Sequence, residues 1–480
     1  MRNYSRRGFL AASAALLAAT QFPLRAYGQQ TAPLRLAATS RTLDIDGRAA
    51  TVFGLSGPGG QGLMLEPGQR FQVDLTNELA VSTIVHWHGQ IPPNAQDGVP
   101  DMPLPLLAPG ETRSFDFAPL PGTHWMHSHV PVQEMQLLAA PLIVRRPEDA
   151  AADRQEVVLF LHDFSFKTPE EVLDEITGGH ASGGMQGMDH GSMNHGGAGS
   201  MTMDMGGMAM DLNDYDWDAY LANDRTLSDP EVVAVERGGR IRLRVINAAA
   251  ATVFWVDTGT VAGRLVAVDG HEVQPLEGSR FGLAMGQRVD IEIDLPNEGG
   301  AWPVLALREG ARERTGIVLA TAGAPVSRIE TLAGDKAPAF DIDLRQEARL
   351  AAIDALPARA VQRSHMVMLG GSMQPYVWTI DGATWGKHRP VEATSGERVE
   401  LSFHNMSMMG HPMHLHGHAF QVVGLNRRRV DGARRDTVYV PPMSMVTVAL
   451  DAGEAASWML HCHHMPHLAT GMMTEFRVAS

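Results

Sequence analysis

Histidines in this chain recur in pairs separated by one residue: His86-Trp87-His88, His127-Ser128-His129, His414-Leu415-His416 and His461-Cys462-His463. In an extended strand residues i and i+2 project from one face, so each pair can offer two imidazoles to the same site. A single His-x-His is most often a surface pair or a satisfied core pair and carries little. Four of them, two towards each end of the chain, offer eight imidazoles, more than one tetrahedral zinc can use. Nitrogen-rich ligation of several ions favours copper among the transition metals. The chain's one cysteine, Cys462, lies inside the fourth pair and must face away from it. His411 and His467 can reach that opposite face, and Met472 follows ten residues after the cysteine. Two imidazoles, a thiolate and a weak thioether form a blue-copper electron-transfer set, one residue from His461 and from His463. His464 and Met473 are given no ligand role.

Ligands set by residue alternation require strands, and the strands repeat. Gly68 to Asn77 (GQRFQVDLTN), Gly238 to Asn247 (GGRIRLRVIN) and Gly396 to Asn405 (GERVELSFHN) share a turn glycine, an arginine, alternating apolar residues and a final asparagine. Three copies argue for three related β domains. Trp125, Trp302 and Trp458 open a later strand-like segment in each. The expected organisation is all-β: three Greek-key β-sandwich domains at 29–150, 151–330 and 331–480, since turn signals are frequent and helical periodicity is sparse. The histidine pairs fall at equivalent places in the first and third domains. The middle domain has none at its equivalents, Ala248–Val256 and Trp302–Leu307. The expected site therefore lies between the two end domains. A stretch at 178–210, dominated by glycine and methionine, has no strand alternation and is expected to be a loop within the middle domain.

Ser5-Arg6-Arg7-Gly8-Phe9-Leu10 followed by the short apolar run Ala11 to Ala19 reads as a twin-arginine export signal over residues 1–28. That run is too short to span a bilayer, so no membrane anchor is expected, and the mature protein is placed in the periplasm. Removing residues 1–28 takes away four arginines and no acid, moving the net charge from −15 to about −19. Such a balance disfavours nucleic acid as a partner and suits cations. One thiol forms no internal disulfide, and none competes for Cys462 in an oxidising compartment.

With these motifs in place the chain resembles three-domain, laccase-like multicopper oxidases, in particular periplasmic copper-resistance and copper-efflux cuprous oxidases. The resemblance implies three cupredoxin-like domains and four copper ions. By motif position, the type 1 copper takes His411, Cys462 and His467 with Met472 axial, and the type 2 copper takes His86 and His414. The type 3 pair takes His88, His127, His129, His416, His461 and His463. Substrate is oxidised one electron at a time and dioxygen is reduced to water. Asp97, nine residues past His88, matches a family aspartate that hydrogen-bonds towards the type 2 side; Gln96-Asp97-Gly98 also reads as a turn. Copper-efflux members carry a proton-delivering glutamate immediately after the histidine that corresponds to His467. Leu468 stands here, and Glu134 is the candidate substitute.

Methionines point to the substrate. Met185, Met188, Met193, Met201, Met203, Met205, Met208 and Met210 place eight of the chain's 27 methionines in the glycine-rich stretch, where there is no core to pack. Thioethers select Cu(I), so this stretch is a candidate holder of extra Cu(I). Met406, Met408 and Met409 precede His411; Met409 matches a family methionine that contacts substrate Cu(I), and Ser407 replaces the aspartate expected beside it. The expected activity is Cu(I) oxidation for copper tolerance, by a monomer that also takes O2. A laccase acting on phenols or other organic reductants, and a non-enzymatic copper-sequestering protein, are the alternatives.

Overall fold

The structure, a computed structural model, describes residues 32–178 and 212–480. The expected export signal and nearly all of the methionine-rich stretch lie outside them. Each copy of the sequence repeat becomes a turn and a strand: Phe71–Asn77, Arg240–Asn247 and Arg398–Asn405. The turn glycines Gly68, Gly238 and Gly396 all adopt positive φ, at 76°, 64° and 84°, which side chains disfavour. The terminal asparagine explains itself in three dimensions. Asn77 donates to the carbonyls of Val81 and Leu107, Asn247 to those of Thr252 and Leu283, and Asn405 to those of Met409, Val440 and Pro441. Each also accepts a backbone N–H two residues on, from Leu79, Ala249 and Ser407. The side chain thus satisfies carbonyls where the strand leaves its ladder and enters a buried loop.

Among the described residues six sheets form, in three pairs of five and four, six and five, and seven and five strands. The repeat extends to topology. Leu34–Ile45, Gln155–Phe164 and Arg363–Met373 each run parallel to their domain's repeat strand. A second parallel pairing recurs as Leu63–Leu65 with Ala139–Val144, Val232–Val235 with Arg314–Thr321, and Val391–Thr394 with Met473–Ala479. Alternating residues of facing sheets fill three main cores, and the middle one reaches into the third domain through Met465 and Leu468. The chain past residue 330 still lies along the middle sheets. Ala333 and Ala337 bond to the carbonyls of Arg312 and Ala311, and Gln274 to that of Ala351, before Arg363–Met373 begins the third pair. Among the described residues no helix is long and apolar enough to cross a membrane.

Candidate metal centre

Strand register brings the histidines together. Val85–His88 pairs antiparallel with Gly122–Ser128, setting His86 opposite His127. His411–Leu415 pairs with Ser457–Cys462, setting His414 opposite His461 and Met413 opposite Cys462. His129, His416 and His463 follow just beyond these strands, and all eight imidazoles are buried. The two halves meet across the interface between the first and third domains. The His86 ring stacks on His416 at 3.7 Å and the His88 ring on His414 at 3.8 Å.

The outward nitrogens determine what the inward ones can do. His86 and His414 direct Nδ1 to the carbonyls of Asp97 and Asp436, His127 and His461 to those of Ser128 and Cys462, and His416 to Asp97 Oδ2. A carbonyl or carboxylate only accepts, so each Nδ1 carries the proton and each Nε2 presents a lone pair. His88 is reversed: its Nε2 faces Asp436 Oδ1 at 3.0 Å, and its Nδ1 faces His127 Nε2 at 3.4 Å. Burial, then the neighbouring imidazoles, push His88, His127, His129, His414, His416 and His463 well below the usual histidine range. Burial takes His461 to about 3. The His416 and His461 rings therefore face each other acceptor to acceptor, Nε2 to Nε2 at 3.1 Å, and His86 Nε2 lies 3.4 Å from His414 Nε2. Lone pairs so close repel one another, and a cation between them removes the conflict. Donor atoms within 4.8 Å of one another group as His88, His127 and His463; His129, His416 and His461; and His86, His88 and His414.

A fourth group is His411, Cys462 and His467. Cys462 Sγ lies 3.7 Å from His411 Nδ1 and 3.6 Å from His467 Nδ1, with 3.2 Å between the two nitrogens. Burial pushes the thiol up, so a metal must displace its proton. Met472 is fully buried, and its backbone bonds to both Cys462 and His467. Ser407, standing where an aspartate was expected, has its Oγ 2.8 Å from His411 Nε2 and so turns Nδ1 towards the thiol. Met409 is buried in the third core, Met408 half-buried and Met406 58 % exposed.

Both candidate carboxylates lie against the histidine cluster. Asp97 bonds His416 through Oδ2 and His86 through its carbonyl, while its peptide still forms the Gln96-Asp97-Gly98 turn. Glu134 Oε2 is 2.8 Å from His127 Nδ1 and its Oε1 is 3.8 Å from His463 Nδ1. Burial pushes the Glu134 carboxyl well above the usual range, against the opposing effect of His86. A carboxyl group whose protonated form burial favours thus sits beside two cluster imidazoles, whereas Leu468 is buried in the core.

Other contributors escaped the sequence reading. Asp214 has a fully buried carboxylate that bonds Tyr376 and lies 3.6 Å from both His464 Nε2 and His467 Nε2. The middle domain, which among its described residues places no histidine in the cluster, supplies Gly286. A Cβ there would meet His463 at 2.8 Å and His88 at 3.2 Å.

Comparison with known proteins decides the family. Profiles described as Multicopper oxidase match residues 40–149, 155–323 and 359–480. The Multicopper oxidase MmcO of Mycobacterium tuberculosis is 30% identical, over 99% of this chain and 96% of that protein. The chain belongs to the multicopper oxidase family. Copper resistance protein A of Escherichia coli is 24% identical over 88% of each chain. The crystal structure of Fet3p, "a Multicopper Oxidase that Functions in Iron Import", superposes with a TM-score of 0.75 at 16% identity, over 92% of this chain and 90% of that one. The fold is accordingly the cupredoxin-like architecture of multicopper oxidases, the protein is an oxidoreductase, and the family implies copper ions, with dioxygen as acceptor. The donor set fits copper: neutral imidazoles with converging lone pairs, and a second site of two imidazoles and a thiol.

Proposed function

We propose that this multicopper oxidase oxidises Cu(I) to Cu(II) at the expense of dioxygen and serves copper tolerance in the periplasm. One observation carries the reading: the described residues that flank the methionine-rich stretch converge on the thiol site. The helix Pro169–Ile176 leads into the stretch, and Ile176 packs on the third-domain core that contains Cys462. On its far side Asp214 reaches His467. The described residues on either side of the eight methionines thus lie beside the electron-accepting group, and soft sulfur ligands select cuprous ion. Met406, exposed just ahead of Ser407, and Met443, also 58 % exposed and bonded by its N–H to the Ser407 carbonyl, add exposed thioethers next to the residue that bonds His411.

In this reading His411, Cys462 and His467, with Met472, hold the type 1 copper, and His86 and His414 the type 2 copper. His88, His127 and His463 hold one type 3 ion, and His129, His416 and His461 the other. Bound copper supplies one-electron acceptance at the thiolate site and dioxygen reduction at the histidine cluster. The run His461-Cys462-His463 links the two covalently. Glu134, whose protonated form burial favours, can hold a proton beside His127 and His463, and Asp97 orients His86 and His416. All these groups are buried away from bulk solvent.

Oxygen uptake by the copper-loaded full chain, with Cu(I) or a phenol as reductant, tests the reading after the eight methionines are replaced by serine. The expected result is at least a tenfold loss of kcat/KM for Cu(I) with phenol oxidation retained. Unchanged Cu(I) turnover would sink the proposal in favour of a laccase. Copper tolerance that survives Cys462→Ser would instead favour sequestration.

A further inference from the structure

The outer face of the larger third-domain sheet carries side chains that the core does not use. Along Arg363–Met373, Arg398–Asn405 and Met445–Asp451 the inward residues Val367, Leu369, Phe403 and Val446 belong to the core that contains Cys462. Alternation turns Met368, His404 and Met445 to the opposite face. Register then sets the three in one row. Met368 lies beside His404 in the parallel pairing, and His404 lies opposite Met445 in the antiparallel one. All three are half-buried. Directly paired residues have Cβ atoms about 4.5–5.5 Å apart, within reach of flexible, unbranched methionine side chains on either side of a central imidazole.

Both flanks of the row are pinned. Asp381 Oδ1 accepts the Met368 N–H at 2.8 Å, and the Asp381 N–H donates back to the Met368 carbonyl at 2.8 Å. Asn426 holds Met445 in the same way, at 2.9 and 2.8 Å. Asp381 and Asn426 both adopt positive φ, 52° and 44°, so each end of the row is closed by a turn residue of like conformation. Packing does not account for the composition. Strands favour β-branched and aromatic residues, and a methionine on the outward face has no core gap to fill. Yet the neighbouring outward positions are methionine too: Met366 is 54 % exposed, and Met406 and Met443, the next residues beyond the paired strands, are each 58 % exposed.

We propose that Met368, His404 and Met445 form a binding site for Cu(I) on the exterior of the third domain, separate from the thiol site and the histidine cluster. Two thioethers and an imidazole are soft or intermediate donors without negative charge, a set that selects the cuprous ion over harder dications. The row holds the ion and transfers no electron. It stands whether or not the ion it holds is the enzyme's reductant.

Silver(I), a soft monocation that the enzyme does not oxidise, tests the site on the full chain, copper-loaded and oxidised so that the resident sites are filled. The eight methionines between 185 and 210 are replaced by serine to remove competing thioethers. X-ray absorption at the silver edge is expected to show nitrogen together with sulfur around the first equivalent bound. In His404→Gln the nitrogen should vanish, and competition with a chelator should show about tenfold or weaker binding in that variant, in Met368→Leu and in Met445→Leu, each having lost one of three donors. Met366→Leu, on the same face one row away, is the control and should bind as before. The blue thiolate band, retained in every variant, verifies the fold. Sulfur-only ligation in the unaltered row, unchanged affinity in His404→Gln, or equal weakening in Met366→Leu overturns the proposal. Since silver is not turned over, these outcomes are independent of whether Cu(I) is oxidised.

Discussion

Replacing Gly286 by alanine isolates what the middle domain does for a site it does not ligate. Two penalties arise. The backbone there has φ of 80°, and an L side chain in that region costs roughly 1–2 kcal/mol. The new methyl would also lie 2.8 Å from His463 Cδ2 and 2.9 Å from its Cγ. The His463 ring cannot simply swing aside, because His88, His127 and Trp125 pack around it with ring centroids at 5.0, 5.1 and 5.4 Å. Overpacking of this kind adds about 1–3 kcal/mol. Gly47 is a matched control, with φ of 83° and nothing within 4 Å of its would-be Cβ. Gly47→Ala should therefore cost only the backbone part, about 1–2 kcal/mol, and Gly286→Ala about 2–5 kcal/mol in total. Denaturant unfolding of the two variants measures the difference, and copper per chain with the thiolate band reports the site. Gly286→Ala should also lose cluster copper while keeping the blue band. Equal destabilisation of the two variants, with cluster copper intact in both, would show that the glycine turn is not the wall of the site.

Other outcomes follow from the same geometry. Glu134→Gln should slow dioxygen reduction about 10²- to 10⁴-fold, leaving anaerobic reduction of the thiolate centre by Cu(I) unchanged in stopped flow. Asn405→Ala strands three buried carbonyls and should cost about 3 kcal/mol or more, and Asn247→Ala nearly as much, in chemical denaturation. Burial raises the Glu309 carboxyl to about 8, with the Phe340 N–H opposing. The folded state therefore holds a proton that the unfolded chain has released, and stability should fall as pH rises from about 4.5 to about 8, then level off. Glu309→Gln should flatten that slope, removing the Glu309 share, in unfolding curves measured across the window. A slope unchanged by the substitution would assign it to other groups.

What could be read in the sequence was whatever repeats or alternates. The His-x-His pairs, the lone cysteine between two of them and the glycine-to-asparagine repeat are periodic signals, and the strands use them directly. Glu134 was visible only as an acid a few residues after His129; its burial against His127 depends on the short helix Pro131–Glu134 folding back. The buried ion pair of Arg288 with Asp436 was invisible, since 148 residues separate its members and neither lies in a patterned run. Asp214 was hidden among neighbouring acids, Asp216 and Asp218, that are exposed. The middle domain gives no ligand signal in the sequence because it has no histidine pair at its equivalent positions. Its contribution is a glycine without a side chain and an arginine buried where arginines seldom lie.

The stacked rings of His86 on His416 and His88 on His414 also carry a kinetic consequence. Both contacts cross from the first domain to the third, so any transient parting of these domains opens the cluster before either domain unfolds. The residence time of cluster copper is then a clock for interdomain breathing, and the thiolate site, built within one domain, keeps separate time. Chelator-driven loss should run in two phases, the faster one lengthened by whatever ties the three domains together.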